Sequence, residues 1–434
     1  MKYRSLNGQA PIVDFREATI RGQAPDKGLY FPTEIPQLSP AFIAALPGID
    51  KTELALEVMQ PYVGKSIDTV SLEQIVAETV DFEFPLVKIN EQIYSLELFH
   101  GPTLAFKDVG ARFMSRCLGH FSKAAYNKTT VLVATSGDTG GAVANGFLGV
   151  DGVEVIILYP SGKVSPVQEL QLTTCGQNIK ALEVAGSFDD CQAMVKDAFM
   201  DADLNGHLSL TSANSINVAR WLPQQLYYFF AWQQWHQMGF KIAPVISVPS
   251  GNFGNLCAGL MAHASGLPLQ QFIAACNANN AVPEYLQTGM YQPKTAVPTI
   301  SNAMDVGSPS NFVRILELFA KDHEKMAATI EGYSISDEIT KQTIAAVYQQ
   351  DGYMLDPHGA VAYQALEQYQ SKHPSAKGMI LETAHPVKFP ETVEAAIGQK
   401  IPIPDTVLPL FQQSKKSIPM QANFAALKDW LMAQ

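Results

Sequence analysis

Residues 129–160 read TTVLVATSGDTGGAVANGFLGVDGVEVIILYP, and this stretch decides the fold class of the 434-residue chain. Its two ends, TTVLVATS (129–136) and VEVIILYP (153–160), are apolar runs rich in β-branched residues. A helix pattern of small residues, opening on glycines, lies between them. Apolar runs without polar alternation are typical of strands buried on both faces, as in a parallel sheet covered by helices. The stretch therefore predicts a strand–helix–strand unit of an α/β fold.

The same alternation recurs further along the chain. Additional strands are predicted from NIKALEV (178–184), from the start of APVISVPSGNFGN (243–255), and from QFIAACNAN (271–279) and GMILETAHP (378–386). Helices are predicted within residues 187–200, 215–238 and 334–371. Open α/β sheets bind ligands at the carboxyl ends of their strands. Two such layers with a seam between them therefore predict an enzyme with its site in a cleft.

The domain organisation follows from where this alternation begins. Residues 1–95 lack it and contain helical patches near 50–60 and 71–79, so they are expected to form an N-terminal domain. The catalytic region then covers residues 96–434. Within it we expect a smaller α/β subdomain over about 108–215. A larger cofactor subdomain is expected over about 216–434, together with the segment around 96–107.

Composition excludes several classes of protein. The chain is 47% hydrophobic and 16% charged, with a net charge of −11, which argues against a nucleic-acid partner. Its five cysteines are widely spaced without a C-x-x-C pair, so we expect reduced thiols and no metal site. The start, MKYRSLNGQAPIVDF, has no apolar signal core, and no run is long enough for a membrane span. We therefore expect a cytoplasmic protein with no membrane association.

Three loops that follow predicted strands are rich in glycine or hydroxyl residues: TSGDTGG (135–141), PSGNFGN (249–255) and ETAHP (382–386). SGNFGN offers unobstructed backbone N–H groups at a helix start, which suits a phosphate. No G-K-[ST] follows it, so it is not a Walker loop, and TSGDTGG does not match G-x-G-x-x-G. A single glycine loop after a strand is also ordinary turn chemistry. The signal here is the occurrence of two in one chain.

One lysine lies in unusual surroundings in LELFHGPTLAFKDVGARFM (96–114). Lys107 follows glycine, proline and threonine and adjoins apolar residues. One interpretation is a lysine whose stem packs beside a turn while its amine reaches solvent, and composition alone favours it. The other is a desolvated amine with a lowered pKa, able to form a Schiff base with an aldehyde. With a phosphate loop and hydroxyl residues nearby, the second interpretation suits pyridoxal 5′-phosphate and an amino-acid substrate.

Several motifs together decide between these interpretations. ELFHGPTLAFKDVGA (97–111) resembles the cofactor-lysine signature of the serine/threonine dehydratase-like family of pyridoxal-phosphate enzymes, and SGDTG, SGNFGN and ETAHP follow in that family's order. With GLYFP, ILYPSGKVSP, SANSINVAR and SNAMDVGSPSN, the chain resembles the threonine synthases of the long bacterial and fungal form from about residue 4 to residue 430. The resemblance implies fold type II, similar to the tryptophan synthase β chain. That fold has two α/β domains with the cofactor in their cleft, here with an added N-terminal domain.

The resemblance also implies roles for the cofactor-binding residues. Lys107 would carry pyridoxal 5′-phosphate and shuttle protons. Thr383 would hydrogen-bond the pyridine nitrogen. Asp138 would lie near the cofactor's phenolic oxygen, where many relatives carry asparagine, and an aspartate there would need a protonated partner. The cofactor phosphate would be held by a run of six residues: Ser250, Gly251, Asn252, Phe253, Gly254 and Asn255.

Substrate groups are expected at two further places. The substrate α-carboxylate would lie on the loop of Thr135, Ser136, Gly137 and Thr139. The substrate phosphate would be met by Lys163, Ser215, Asn217 and Arg220. The spacing in NSINVAR puts Asn217 and Arg220 three residues apart, which predicts one shared helix face.

The resemblance implies that the chain converts O-phospho-L-homoserine and water into L-threonine and phosphate, the last step of threonine biosynthesis. The alternative is a serine/threonine dehydratase or phospho-lyase of the same fold. A metabolite-binding homologue without catalysis and a nucleotide-binding α/β protein are less consistent with Lys107 and with the loop sequences. The expected partner is the small-molecule substrate, and the expected assembly is a monomer or a small homo-oligomer.

Overall fold

A computed structural model describes residues 1–122 and 128–434 of the chain. Its N-terminal part combines short helices with an antiparallel strand pair. In chain order the elements are β1 (Tyr3–Ser5), α1 (Phe15–Arg21), β2 (Tyr30–Pro32), α2 (Pro40–Ala45), α3 (Lys51–Val63) and α4 (Thr69–Thr79). Helices α3 and α4 overlap the predicted helical patches. They begin after Asp50 and Asp68, whose carboxylates accept hydrogen bonds from N–H groups of the first turn.

The next part of the chain contains the strand–helix alternation predicted from residues 129–160. Its elements are β3 (Leu86–Lys88), β4 (Ile93–Glu97), α5 (Lys107–Ser122), β5 (Thr129–Ala134), α6 (Asp138–Phe147), β6 (Val153–Pro160), α7 (Pro166–Thr173), β7 (Ile179–Ala185), α8 (Phe188–Met200), α9 (Ala202–His207) and β8 (Ser209–Ser212). Every residue of β5 and β6 is buried. The prediction of strands covered on both faces is therefore confirmed.

The remaining elements continue the alternation in longer steps. They are α10 (Val218–Trp221), α11 (Gln225–Gln237), β9 (Val245–Pro249), α12 (Gly254–Ala264), β10 (Gln271–Cys276), α13 (Ala281–Thr288), α14 (Phe312–Leu318), α15 (His323–Thr329), β11 (Ile330–Ser334), α16 (Asp337–Asp351), α17 (Pro357–Lys372), β12 (Gly378–Glu382), α18 (Pro390–Ile397), β13 (Ile418–Gln421) and α19 (Phe424–Met432). The 3₁₀ turn Pro386–Lys388 lies shortly after β12.

Two parallel sheets position the site. Within the described residues, the large sheet has the order β11-β10-β9-β12-β4-β3, and only its edge strand β3 runs antiparallel. The small sheet has the order β13-β7-β6-β5-β8, with all of its strands parallel. The chemistry-bearing segments predicted from the sequence follow the carboxyl ends of β4, β5, β9 and β12. The α/β architecture of two domains with a cleft is thus confirmed.

The C-terminal residues differ from the predicted division into subdomains. Residues 216–434 were expected to belong to the larger subdomain, but β13 pairs with β7 at the edge of the small sheet. Helix α19 packs on α8 of the same layer. The sequence carried little signal for this, because only Met420 of the four residues in β13 is buried. The strand pairs there because β7 would otherwise leave a free edge.

The N-terminal part is joined to the catalytic region by buried polar contacts. The Arg314 side chain in α14 is fully buried and lies over the Trp221 ring, with 4.7 Å between the guanidinium carbon and the ring centroid. Its Nη2 donates to the carbonyl oxygen of Tyr30 at 3.1 Å, and its Nη1 donates to that of Ser215 at 3.1 Å. Arg314 therefore fixes the segment before α10 to strand β2.

Membrane association was not expected from the sequence. Across residues 1–122 and 128–434, none of the helices has the combined length and apolarity needed to cross a bilayer.

Candidate active site

The turn between β4 and α5, residues 98–106, delivers Lys107 to the start of α5 and is called the lysine turn below. Leu104 takes a left-handed conformation with φ 57°, and the buried Asp108 carboxylate accepts from the Thr103 N–H at 2.9 Å. The Phe106 N–H donates to the carbonyl oxygen of Thr383 at 2.8 Å. The Tyr227 hydroxyl donates to the Phe106 carbonyl. The turn is held on several sides, so the position of the Lys107 backbone is fixed.

The surroundings of the Lys107 amine lower its pKa below the usual value for lysine. Burial lowers its pKa to about 8, while the Asp138 carboxylate raises it and the cations of Arg220 and Lys388 lower it. A sizeable neutral fraction therefore exists near neutral pH, as a Schiff-base lysine requires. The interpretation of Lys107 as a desolvated amine agrees with this geometry.

Residues 250–255, between β9 and the first turn of α12, are called the phosphate loop. Phe253 is left-handed with φ 61°, and α12 begins without a side-chain cap. In the described parts of the chain, the N–H groups of Gly251, Asn252 and Phe253 have no acceptor. Free N–H groups at the positive end of a helix form an anion site. The backbone here can therefore receive an anion such as a phosphate group.

The phosphate loop is closely packed and contains one further unpartnered donor. A Cβ atom on Gly251 would lie 2.6 Å from the Met304 Cα, so glycine is needed for the backbones to approach. The Asn255 Nδ2 is buried without a hydrogen-bond partner, while its Oδ1 accepts from the Tyr228 hydroxyl at 2.7 Å. An unpartnered buried donor beside free N–H groups is what a bound phosphate oxygen would satisfy.

Residues 135–139, after β5, are called the hydroxyl loop. The Thr135 Oγ1 accepts from the N–H groups of Gly137 and Gly140, at 2.9 and 2.8 Å, so this side chain shapes the loop from inside. Ser136 and Thr139 are partly exposed, and their hydroxyls bond to no described residue. Helix α6 begins at Asp138, and its N-cap residue Gly137 supplies no side-chain hydrogen bond. The free hydroxyls and helix N–H groups suit a carboxylate.

Asp138 is a buried carboxylate in this loop, and it is paired with a buried lysine. The Lys388 Nζ lies 2.7 Å from its Oδ1, and the Gln168 Nε2 donates to the same oxygen at 2.8 Å. Burial alone would raise the pKa of Asp138, but the charges of Lys388 and Lys107 and these hydrogen bonds hold it at about 2. Asp138 is therefore ionised, and the positive charge of Lys388 offsets part of the repulsion between its carboxylate and a bound anion.

Thr383 lies at the carboxyl end of β12, next to the lysine turn. Its carbonyl oxygen accepts from Phe106, and its side chain is largely buried. The Thr383 Oγ1 makes no hydrogen bond to a described residue, which leaves it available to a ligand beside Lys107. The neighbouring Glu382 is fully buried, and burial together with the nearby Asp356 raises its pKa well above the usual range.

Three of the four residues predicted to bind the substrate phosphate differ in position: one lies beside the phosphate loop, one is buried and one is exposed. The Ser215 Oγ accepts from the Asn252 Nδ2 at 2.7 Å, so it touches the phosphate loop. The Arg220 guanidinium is buried, its Nη1 donates to the Ala213 carbonyl at 2.6 Å, and its Nε has no partner. Lys163 is exposed in the loop after β6. These three residues keep groups that a ligand could use.

Asn217 is placed differently from the prediction. It is the N-cap of α10, outside the helix, so it does not share a helix face with Arg220. Its Oδ1 accepts from the Ala219 N–H at 3.0 Å, and its Nδ2 donates to the Thr19 carbonyl at 2.9 Å. The side chain is fully buried. Contact with a substrate is therefore not supported, because its amide is already used to hold α10 and α1 together.

Lys388 and Gln168 were missed in the sequence. Lys388 lies between Val387 and Phe389, so it shows the same apolar flanks that drew attention to Lys107. Gln168 is the third residue of α7 and forms a capping box with Ser165. This local role accounts for a glutamine at the position, so the sequence offered no reason to expect a contact with Asp138.

Comparison with known proteins finds relatives for nearly the whole chain. The model of a family described as pyridoxal-phosphate dependent enzymes matches residues 82–381. Models of the threonine synthase N terminus and C-terminal region match residues 2–80 and 359–431. The N-terminal match ends before the boundary expected at residue 95.

Individual relatives give the same result. The threonine synthase of Haemophilus influenzae is 44% identical over 420 residues, which cover 97% of each chain. The crystal structure of threonine synthase from Escherichia coli is 42% identical, with a TM-score of 0.92 and full coverage of both chains. The structure of threonine synthase from Brucella melitensis with bound pyridoxal phosphate is 36% identical. Its TM-score is 0.93, covering 100% of this chain and 99% of that one. The chain thus belongs to the threonine synthase family of pyridoxal-phosphate-dependent enzymes.

Proposed function

We propose that this chain converts O-phospho-L-homoserine and water into L-threonine and inorganic phosphate. The observation that carries the proposal is the desolvated Lys107 amine, held near the two anion-binding loops. Consecutive side chains of α11 link two of these parts, because Tyr227 bonds to the lysine turn and Tyr228 bonds to the phosphate loop. Asp138 brings the hydroxyl loop within electrostatic range of the amine.

Pyridoxal phosphate would be seated by residues of the catalytic region alone. We propose that Lys107 bonds it, that residues 250–255 hold its phosphate, and that Thr383 donates or accepts at its ring nitrogen. When bound, the cofactor withdraws electrons from the substrate carbon atoms next to the amino group. A hydroxyl at the ring nitrogen does not supply a full proton, so Thr383 favours elimination and replacement over transamination.

The proton transfers are assigned to Lys107. The reaction needs a proton removed from Cα, a further proton removed from Cβ, and protons returned after the γ-phosphate leaves and water adds at Cβ. An amine with a pKa of about 8 can accept and return protons near neutral pH. One lysine on a fixed turn can serve these steps in succession, so no second strong base is required.

The substrate α-carboxylate is assigned to the hydroxyl loop. The free hydroxyls of Ser136 and Thr139, with the uncapped N–H groups at the start of α6, can donate to it. Thr135 and Gly137 support this surface: Thr135 is an internal acceptor, and Gly137 has φ 137°, where a Cβ would lie 2.5 Å from the Gln168 side chain.

The substrate phosphate is assigned to Arg220, Ser215 and Lys163. The unpartnered Arg220 Nε provides a buried cationic donor, which binds phosphate more strongly than a neutral one. Ser215 adds a hydroxyl at the edge of the phosphate loop. Lys163 supplies a mobile exposed charge after β6. Asn217 is assigned a supporting role, since it fixes the start of the helix that carries Arg220.

Incubating the purified chain with O-phospho-L-homoserine and pyridoxal phosphate tests the proposal directly. The expected products are threonine and inorganic phosphate in equal amounts. Formation of 2-oxobutyrate in place of threonine would show the alternative phospho-lyase. Turnover of serine or threonine without turnover of the phosphorylated substrate would show the dehydratase. Either result contradicts the proposed function while leaving the cofactor assignment intact.

We propose that the active form is a monomer or a small homo-oligomer. Light scattering after size-exclusion chromatography measures the assembly, and the activity at decreasing protein concentration shows whether association is needed.

A further inference from the structure

Lys388 is a fully buried lysine at the junction of three segments that meet at the site. It lies on the 3₁₀ turn Pro386–Lys388, just after β12. Its Nζ lies 2.7 Å from the Asp138 Oδ1 of the hydroxyl loop, and it donates to the Thr103 carbonyl of the lysine turn at 2.8 Å. One amine thus connects the large sheet, the small sheet and the turn that carries Lys107.

The position of Lys388 is fixed from several directions. The Thr103 carbonyl also accepts from the Gln171 Nε2 of α7 at 3.0 Å, and Asp138 also accepts from Gln168 of the same helix. A lysine buried in this way costs free energy unless it is paired and hydrogen-bonded. Asp138 and Thr103 satisfy it. Its burial and contacts give no indication that it binds the substrate directly.

Charge balance around Lys107 explains why this pair matters. The charged groups that act on Lys107 are Asp138 from α6, Arg220 from α10 and Lys388. The Lys388 charge also acts on Asp108 of the lysine turn and on His385. Asp138 is the one carboxylate among the groups that act on Lys107, and its close contact is with Lys388. In the absence of Lys388, Lys107 would be the cation left to neutralise Asp138.

We propose that Lys388 is a positioning residue: it takes Asp138 as its own ion-pair partner and thereby leaves the Lys107 amine free to lose its proton. The same contact holds the hydroxyl loop against the lysine turn. This role deepens the proposed function and rests on it for its catalytic meaning. The ion-pair arrangement itself is a property of the chain and can be tested without substrate.

The test measures the ionisation of Lys107 in the full chain freed of cofactor. Brief labelling with acetic anhydride over a range of pH, with the modified peptide quantified by mass spectrometry, gives the pKa of this single amine. In the unaltered chain the expected pKa is about 8. In Lys388→Met the expected pKa is higher by at least one unit, so labelling at pH 7 falls about tenfold. An unchanged or lower pKa would overturn the proposal.

A second substitution separates the ion pair from a general disturbance. In Asp138→Asn/Lys388→Met both charges are removed, and the Lys107 pKa is expected to return toward that of the unaltered chain. If the double variant keeps the raised pKa, Asp138 is not the cause and the proposal is wrong. Lys400→Met is the matched control, because Lys400 is an exposed lysine paired with Glu394. It should leave the labelling curve unchanged.

Folding and function are controlled separately. Circular dichroism establishes that each variant is folded, and Lys388→Gln, which retains hydrogen-bonding capacity, replaces Lys388→Met if the latter does not fold. The labelling experiment involves no turnover. If the chain forms no threonine from phosphohomoserine but the Lys107 pKa rises in Lys388→Met, the proposed function is wrong and the ion-pair role stands. If threonine forms but the Lys107 pKa does not rise, the ion-pair role is wrong and the proposed function stands.

Discussion

The phosphate loop and the hydroxyl loop have the same origin and different constraints. Each follows the carboxyl end of a parallel strand and precedes a helix whose N-cap residue supplies no side-chain hydrogen bond. The phosphate loop is enclosed by the Met304 backbone, and Asn252 accepts from Ser310 and donates to Ser215. The hydroxyl loop keeps two free hydroxyls and one ionised carboxylate. The difference indicates that the phosphate loop is a rigid binding site for a cofactor that stays bound. The hydroxyl loop, in contrast, keeps free groups for a substrate that binds and dissociates in each cycle.

The largest expected effect comes from removing the amine that serves both loops. We expect Lys107→Ala to reduce turnover by about 10³-fold or more, since base catalysis and the cofactor bond are lost together. The unfolding temperature should change little, because the Lys107 amine forms no salt bridge and no hydrogen bond to a described residue. Steady-state kinetics and thermal unfolding measure the two effects. Retained turnover would remove Lys107 from the mechanism.

The rigidity of the phosphate loop is tested by Gly251→Ala. The added Cβ would lie 2.6 Å from the Met304 Cα, which is a backbone atom that no side-chain rotation can move away, so the loop must shift. We expect cofactor affinity to fall about 10- to 100-fold, which corresponds to an overpacking cost of about 1–3 kcal/mol. Cofactor titration measures this.

Gly48→Ala provides the matched control for that change, since a Cβ at Gly48 meets no atom within 4 Å. Its cofactor affinity should equal that of the unaltered chain. If the Gly251→Ala variant binds the cofactor as tightly as the unaltered chain, the description of the phosphate loop as a rigid binding site is wrong.

Substitutions in the hydroxyl loop should weaken the binding of the substrate and leave the binding of the cofactor unchanged. We expect Ser136→Ala and Thr139→Val each to raise KM for the phosphorylated substrate about tenfold, because each removes one hydrogen bond to a charged group. Cofactor affinity should stay constant. Thr329→Val is a suitable control, since its hydroxyl bonds to the Lys325 carbonyl within α15. A loss of cofactor affinity in the loop variants would erase the distinction between the two loops.

The smallest expected effect is on the pH dependence of cofactor binding. The amine reacts in its neutral form, and the Lys107 pKa is about 8, so the neutral fraction rises with pH through that value. The rate of cofactor reassociation should therefore increase about fourfold between pH 7.5 and pH 9, then level off. Stopped-flow absorbance at fixed ionic strength measures it. A rate that falls with pH would contradict a neutral reacting amine.

The sequence predicted the parts of this site that depend on local pattern. Strands β5, β6, β9 and β12 are mostly apolar runs, so the loops that follow them could be found from the sequence. Lys107 was found from its apolar neighbours and from motif resemblance. The contact of Lys388 with Asp138 joins residues 250 positions apart, and no periodicity reports such a contact. Helical spacing also predicted one shared helix face for Asn217 and Arg220, whereas Asn217 is a capping residue and lies outside the helix it begins.

The contacts of Arg314 and Asn217 with the N-terminal part have a consequence for how this protein can vary. Arg314 reaches the carbonyl oxygen of Tyr30, and Asn217 reaches that of Thr19. Any amino acid supplies a carbonyl oxygen, so the identity of residues 19 and 30 is not fixed by these two bonds, whereas the course of the backbone is. Over evolutionary time, the N-terminal part can accept substitutions at such positions more readily than insertions or deletions that displace its main chain.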